Sequence, residues 1–187
     1  MKRVARPITA KYLQNAATFY LERYPSTAEG LRRVLNRRVS KARMLEAPVM
    51  ENVKQAIDTI VAKFVDAGVI DDKAFAQTKA RSLHRRGTSS RVTRQKLKMA
   101  GVDGSTLDEA IEGLDVELDT TPAQREQRAA AALARRRRLG PYRPAEARKD
   151  HRLRDLATMA RAGFAYDVAR KVVDAASPDA LDALDET

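Results

Sequence analysis

The chain has 187 residues, a formal net charge of +11 and no cysteine. Without cysteine it can form neither a disulfide nor a thiolate metal site, which fits a reducing compartment. No apolar run approaches the ~20 residues of a membrane span, and the basic N-terminus lacks the apolar core of a signal peptide. We therefore expect a cytoplasmic protein that binds no membrane.

Helical patterns fill the chain, and no convincing period-two strand pattern occurs, which predicts an all-α fold. Three predicted helices end at glycine or proline, the residues that most often stop a helix. These helices are 8–24 before Pro25, 73–86 before Gly87, and 123–139 before Gly140 and Pro141. Each is followed by two more predicted helices, and we expect a loop at 40–52 within the first group.

An internal repeat underlies these groups, because Leu35, Leu97 and Met159 lie 62 residues apart in similar surroundings. Glycine follows four residues later in the second and third copies, at Gly101 and Gly163, whereas Val39 takes that place in the first. This period predicts three tandem three-helix repeats, at 8–70, 71–118 and 119–176, with an acidic tail at 177–187. Few aromatic residues are available for a large core, so we expect an elongated body.

The start of the second repeat combines capping carboxylates with a basic helix. Asp71 and Asp72 precede the helix and are expected to accept hydrogen bonds from its free N–H groups. At 100° per residue, the small apolar residues share one face and the cations lie opposite. The apolar face has Ala76, Ala80 and Leu83, and the basic face has Lys79, Arg81, Arg85 and Arg86.

Charge alternates along the chain, which suggests separate faces on a folded body. Residues 102–119 contain seven carboxylates and no Lys or Arg, whereas basic residues dominate on both sides. Basic stripes recur in the repeats, and the run of four arginines at 135–138 goes round its helix. A single arginine can simply solvate a surface, but recurring basic stripes favour a polyanion or an acidic protein as partner.

Catalysis finds little support in the residues. His84 and His151 lie in arginine-rich helices without the spacing of metal ligands, and no phosphate-binding glycine loop is present. Asp71 and Asp72 are better explained as helix caps than as a metal site. We therefore expect no enzyme activity, no cofactor and no metal.

Four segments together resemble the RecX family of regulatory proteins, in the family's own order. They are GVIDDKAFAQTKARSLHRRG at 68–87, and the segments AEGLRRVLNRRV, SSRVTRQKLKMAGV and ATMARAGFAYDVARKVV. The resemblance implies a curved arc of three helical repeats that lies in the groove of the RecA–DNA filament. It also implies a regulator, usually an inhibitor, of RecA ATP hydrolysis, strand exchange and filament growth, with roles in recombination, DNA repair and the SOS response.

We expect a basic face to meet the filament, through RecA, through the phosphates of single- or double-stranded DNA without sequence specificity, or through both. Its predicted residues are Arg32, Arg33, Arg37, Arg81, Arg85, Arg86, Arg91, Arg94, Lys98, Arg135 and Arg136. The chain is expected to act as a monomer. Two alternatives stay open: a helical protein that binds nucleic acid nonspecifically and independently of RecA, and a helical adaptor for an acidic protein partner.

Overall fold

A computed structural model describes residues 6–182, in which ten α-helices and one short 3₁₀-helix follow one another. The α-helices are α1 (Ala10–Leu21), α2 (Ala28–Met44), α3 (Val53–Asp66), α4 (Asp72–Arg85), α5 (Ser90–Ala100), α6 (Gly104–Glu117), α7 (Pro122–Arg137), α8 (Ala145–Arg161), α9 (Tyr166–Val173) and α10 (Pro178–Asp182). The 3₁₀-helix spans Gly140–Tyr142. The all-α prediction is confirmed, and within the described residues extended backbone pairs only in one bridge, between Ile8 and Val49. None of the described helices is both long enough and apolar enough to cross a membrane.

The described residues divide into two compact units. Unit 1 contains the residues up to Phe75 together with Ala100–Asp103, and unit 2 contains Ala76–Met99 and the residues from Gly104 onward. In unit 1, the stripe predicted on α3 packs with α1 and α2, since Ile57, Leu13 and Leu35 are all buried. Each such burial stabilises the fold by about 1.5–3 kcal/mol. In unit 2, a second core forms from α7, α8 and α9.

The predicted loop at 40–52 is shorter than expected, because α2 continues to Met44. The prediction was wrong for residues 40–44, where no proline or glycine stops the helix and Ala42 extends its buried face. The remaining loop is tied to the segment before α1. The N–H of Ile8 donates to the carbonyl oxygen of Pro48 at 2.8 Å, and the N–H of Met50 donates to that of Ile8 at 3.2 Å.

The two aspartates at the start of α4 cap different helices. Asp71 accepts the N–H of Ala74 at 2.8 Å, so its predicted capping role is confirmed. Asp72 was predicted to do the same, but its carboxylate accepts the N–H of Ala28 at 2.8 Å, at the start of α2. The prediction for Asp72 was wrong because a carboxylate at one helix start can equally satisfy the free N–H groups of a neighbouring helix.

The 62-residue period reappears in the hydrogen bonds that start α2 and α5. Thr27 and Ser89 are buried, and each hydroxyl accepts the N–H three residues ahead, at 2.9 Å and 3.3 Å respectively. Each hydroxyl also donates to a helix-ending carbonyl 73 residues further along the chain. Thr27 donates to Ala100 at 2.5 Å within unit 1, and Ser89 donates to Ala162 at 2.9 Å within unit 2. These paired contacts relate the start of α2 to that of α5, whereas the three repeats and their boundaries stay a prediction.

The first residues of the predicted acidic tail are helical. They form α10, where Leu181 is buried in the core of unit 2. The rest of the predicted tail, residues 183–187, lies outside the described residues.

Candidate polyanion-binding surface

Helix α6 neutralises part of the predicted basic surface. The guanidinium of Arg81 lies 2.8 Å from the carboxylate of Glu117, and Arg94 forms an ion pair with Asp108. Such exposed pairs add little stability. They do, however, engage guanidinium groups that a partner would otherwise meet. The acidic stretch at 102–119 therefore lies against two of the arginines predicted to bind the filament.

The three predicted residues on α2 belong to unit 1, and two of them also have acidic partners. The Nε of Arg32 lies 3.2 Å from Asp58, and that of Arg33 lies 3.0 Å from Glu29. Arg37 is exposed and forms no ion pair within the described residues. Among the three predicted residues on α2, Arg37 is thus the one most available to a partner.

Three predicted residues from distant parts of the sequence meet in a groove between α4 and α7, in unit 2. We call it the Arg85 groove; its volume is about 460 Å³ and its lining consists of Arg85, Arg128, Ala131, Ala132, Arg135, Arg136 and Tyr142. Arg85, Arg135 and Arg136 are exposed and form no ion pair within residues 6–182. Their convergence concentrates positive charge on one side of α7.

Gly87 sets the distance between α4 and α7 at this groove. It is buried, with a left-handed φ of +69°, and a Cβ atom there would lie only 2.4 Å from the backbone nitrogen of Leu133. A side chain would therefore force the end of α4 away from α7. Glycine lets the turn after Arg85 rest directly on the helix that carries Arg135.

A buried carboxylate holds the segment that places Tyr142 at the groove. Asp155 on α8 is 1% exposed, and it accepts the N–H of Gly140 at 2.9 Å and two bonds from Arg143, at 2.7 and 2.8 Å. Burial by itself would raise the pKa of Asp155, but the hydrogen bonds from Arg143 and Gly140 outweigh it and lower that pKa below its ordinary value. The carboxylate thus stays charged and fixes the 3₁₀-helix to α8.

His84 adds no positive charge to the groove at neutral pH. Its pKa is lowered from 6.5, first by burial and then by the nearby positive charges of Arg125 and Arg128. Arg128 is itself anchored, since it donates to the carbonyl oxygen of Leu118 at 3.0 Å. The permanent charge that the groove offers a partner is therefore carried by arginine.

The other predicted residues lie outside this groove. Arg86 and Lys98 are exposed, and Arg91 donates to the carbonyl oxygen of Gly163 at 3.4 Å. Sequence reasoning missed Arg128 and Tyr142 as parts of the site. No local pattern brings them to Arg85, because that meeting depends on how α4, α7 and the 3₁₀-helix pack. Within residues 6–182, no cluster of three or more acidic or histidine side chains is suited to hold a metal ion.

Comparison with known proteins identifies the family. Residues 71–111 match the family model described as RecX, second three-helix domain. Regulatory protein RecX of Myxococcus xanthus is 39% identical over 170 residues, covering 90% of this chain and 88% of that protein. The chain belongs to the RecX family. The resemblance found in the sequence is thereby confirmed.

Two further RecX proteins are similar to the chain, one in sequence and one in fold. Regulatory protein RecX of Agrobacterium fabrum is 27% identical over 176 residues, covering 94% of this chain and 89% of that protein. The crystal structure of RecX from Lactobacillus salivarius shares the fold, with a TM-score of 0.57 and 19% identity, and covers 89% of this chain and 96% of that one. The match at 71–111 takes in α4, α5 and the first half of α6.

Proposed function

We propose that this RecX-family chain regulates the RecA recombinase by binding the RecA–DNA filament in the cytoplasm, and that it inhibits ATP hydrolysis, strand exchange and filament growth. The observation that carries the proposal is the 39% identity, over nine-tenths of the chain, to a protein named as a RecX regulator. That relationship favours a role in recombination and DNA repair. It also favours action by binding, since the relatives are named regulatory proteins.

The Arg85 groove is the proposed contact with the filament. Guanidinium groups form paired, charge-assisted hydrogen bonds with carboxylates and phosphates, both of which a nucleoprotein filament presents. Arg85, Arg135 and Arg136 meet this requirement because each is exposed and lacks an acidic partner within the described residues. Like charges held close together repel, so an anionic partner relieves an existing cost.

A charge-matched pair of variants tests this assignment. The triple variant Arg85→Ala, Arg135→Ala, Arg136→Ala should keep its helical content and lose inhibition of RecA ATP hydrolysis on single-stranded DNA. The control variant Arg32→Ala, Arg81→Ala, Arg94→Ala removes the same charge from residues that already have acidic partners. It should retain most of the inhibition. Equal loss in the two variants would show that only net charge matters, and would overturn the groove assignment.

Titration below one chain per RecA separates this function from nonspecific DNA binding. Inhibition at such ratios supports action on the filament. We also propose that the chain acts as a monomer. Inhibition only at concentrations that coat the DNA would instead favour a nucleic-acid-binding protein that acts without RecA. If phosphates dominate the contact, log affinity should fall with log salt by about 0.7–0.9 per neutralised phosphate.

A further inference from the structure

A second arginine-lined groove lies between α7 and α8, in unit 2. Its volume is about 330 Å³, and it is lined by Leu133, Arg137, Arg154, Thr158, Arg161 and Ala162. We call it the Arg154 groove. None of its residues belongs to the predicted basic face, and nothing in the proposed function requires it.

The cations of this groove converge from two helices. Arg154, Thr158 and Arg161 are spaced four and three residues apart, so they share one face of α8. Arg137, the last residue of α7, faces this stripe from the neighbouring helix. Arg161 donates to the hydroxyl of Thr158 at 3.3 Å, which orients its guanidinium along the groove.

Within the described residues, no ion pair and no carboxylate of the lining neutralises these cations. The three arginines are exposed and form no ion pair within residues 6–182, and the lining of the groove contains no carboxylate. The acidic residues of α6 neutralise Arg81 and Arg94 elsewhere in the same unit. The Arg154 groove therefore resembles the Arg85 groove, because both contain exposed arginines that form no ion pair within the described residues.

The two grooves lie on different sides of α7. At 100° per residue, the α7 residues that line the Arg85 groove point about 150° away from Leu133 and Arg137, which line the Arg154 groove. The arginine run at 135–138 therefore serves two surfaces: Arg135 and Arg136 face one groove, and Arg137 faces the other. A ligand in one groove leaves the other open.

We propose that the Arg154 groove binds the backbone phosphates of nucleic acid, at a site separate from the proposed filament contact. Arginine forks and a hydroxyl suit phosphate oxygens. Arg154 and Arg161 lie about 10 Å apart along α8, so they can contact different phosphates of one strand. The lining offers no aromatic anchor of the kind that dominates protein interfaces, and no Asn or Gln to read bases. Binding should therefore be independent of sequence.

The first test measures DNA binding by the full-length chain in the absence of RecA, by fluorescence anisotropy with a labelled single-stranded oligonucleotide. The variant Arg137→Ala, Arg154→Ala, Arg161→Ala should bind more weakly, and its slope of log affinity against log salt should be smaller by about 2, since each phosphate contact on a single strand contributes about 0.7. The charge-matched control Arg32→Ala, Arg81→Ala, Arg94→Ala should keep a slope close to that of the wild type. Circular dichroism establishes that both variants are folded.

Two outcomes would overturn the proposal. One is an equal change of slope in both variants, which would assign DNA binding to net charge rather than to this groove. The other is an unchanged slope combined with loss of RecA inhibition, which would make the groove a protein-binding site. Should the triple variant fail to fold, Arg154→Ala, Arg161→Ala on the exposed face of α8 replaces it, with Arg81→Ala, Arg94→Ala as the charge-matched control and the same readout. A wild-type chain that binds DNA but does not inhibit RecA would refute the proposed function and leave this inference standing.

Discussion

Replacing Gly87 by alanine tests whether close contact between α4 and α7 builds the Arg85 groove. Gly87 has a φ of +69°, and a Cβ atom there would lie 2.4 Å from the nitrogen and 2.7 Å from the Cα of Leu133. Both are backbone atoms, so they cannot rotate away as a side chain would. The substitution therefore either strains α7 or separates the two helices.

The size of the effect follows from two contributions. Left-handed backbone costs a non-glycine residue about 1–2 kcal/mol. Forcing extra atoms into a packed contact adds about 1–3 kcal/mol. Gly87→Ala should therefore lower the free energy of unfolding by about 2–5 kcal/mol. Gly68 is the matched control, since it has the same φ of +69° but no atom within 4 Å of its Cβ position. Gly68→Ala should lower the free energy of unfolding only by the backbone contribution of about 1–2 kcal/mol.

Urea titration followed by circular dichroism measures both losses against the wild type, and RecA ATP hydrolysis measures inhibition. Gly87→Ala should lose more stability than Gly68→Ala and should also inhibit RecA less, because Arg85 moves away from Arg135. Equal losses of unfolding free energy in the two variants would contradict a close contact between Gly87 and α7. The link between that contact and the groove is contradicted if Gly87→Ala is strongly destabilised but a folded sample inhibits RecA as well as the wild type does.

Two further predictions concern charge inside unit 2. Asp155→Ala leaves Arg143 unpaired and should lower the free energy of unfolding by about 3–5 kcal/mol in urea titration. Asp174→Ala should cost far less, although Asp174 accepts two bonds from Arg152 at 2.6 and 2.7 Å, because that pair is exposed; equal losses would contradict this. The pKa of His84 is lowered from 6.5, so protonation favours the unfolded chain. Stability should therefore fall as pH drops below 6.5 and level off below the folded-state pKa, and His84→Gln should remove that part of the decline in urea titrations across this range.

The sequence was sufficient for elements whose signals are local. Helices α4 and α7 end within two residues of the ends predicted from Gly87 and Gly140, whereas α1 ends at Leu21, before the predicted end at Tyr24. Buried stripes such as that of α3 follow helical periodicity. It failed at Asp72, since a carboxylate shows only that some N–H group nearby needs a partner, not which helix supplies it.

The candidate site was harder to predict because it depends on pairing between distant helices. Arg81 and Arg85 look alike on the helical wheel of α4, yet Arg81 meets Glu117 on α6 and Arg85 meets the arginines of α7. Which arginine is neutralised and which is left for a partner is decided by tertiary packing. Neither composition nor helical periodicity predicts which arginines form ion pairs with acidic residues.

The hydroxyl contacts of Thr27 and Ser89 span the same number of residues along the chain. Each donor lies 73 residues from its acceptor, so the two contacts share one spacing as well as one geometry. One more step of 62 residues reaches His151, which lies inside α8 because that helix begins at Ala145. A histidine within a helix cannot cap it, so the contact occurs twice and then stops. Duplication of one whole period ahead of α8 would preserve both contacts, whereas an insertion of any other length would have to be absorbed by the turns.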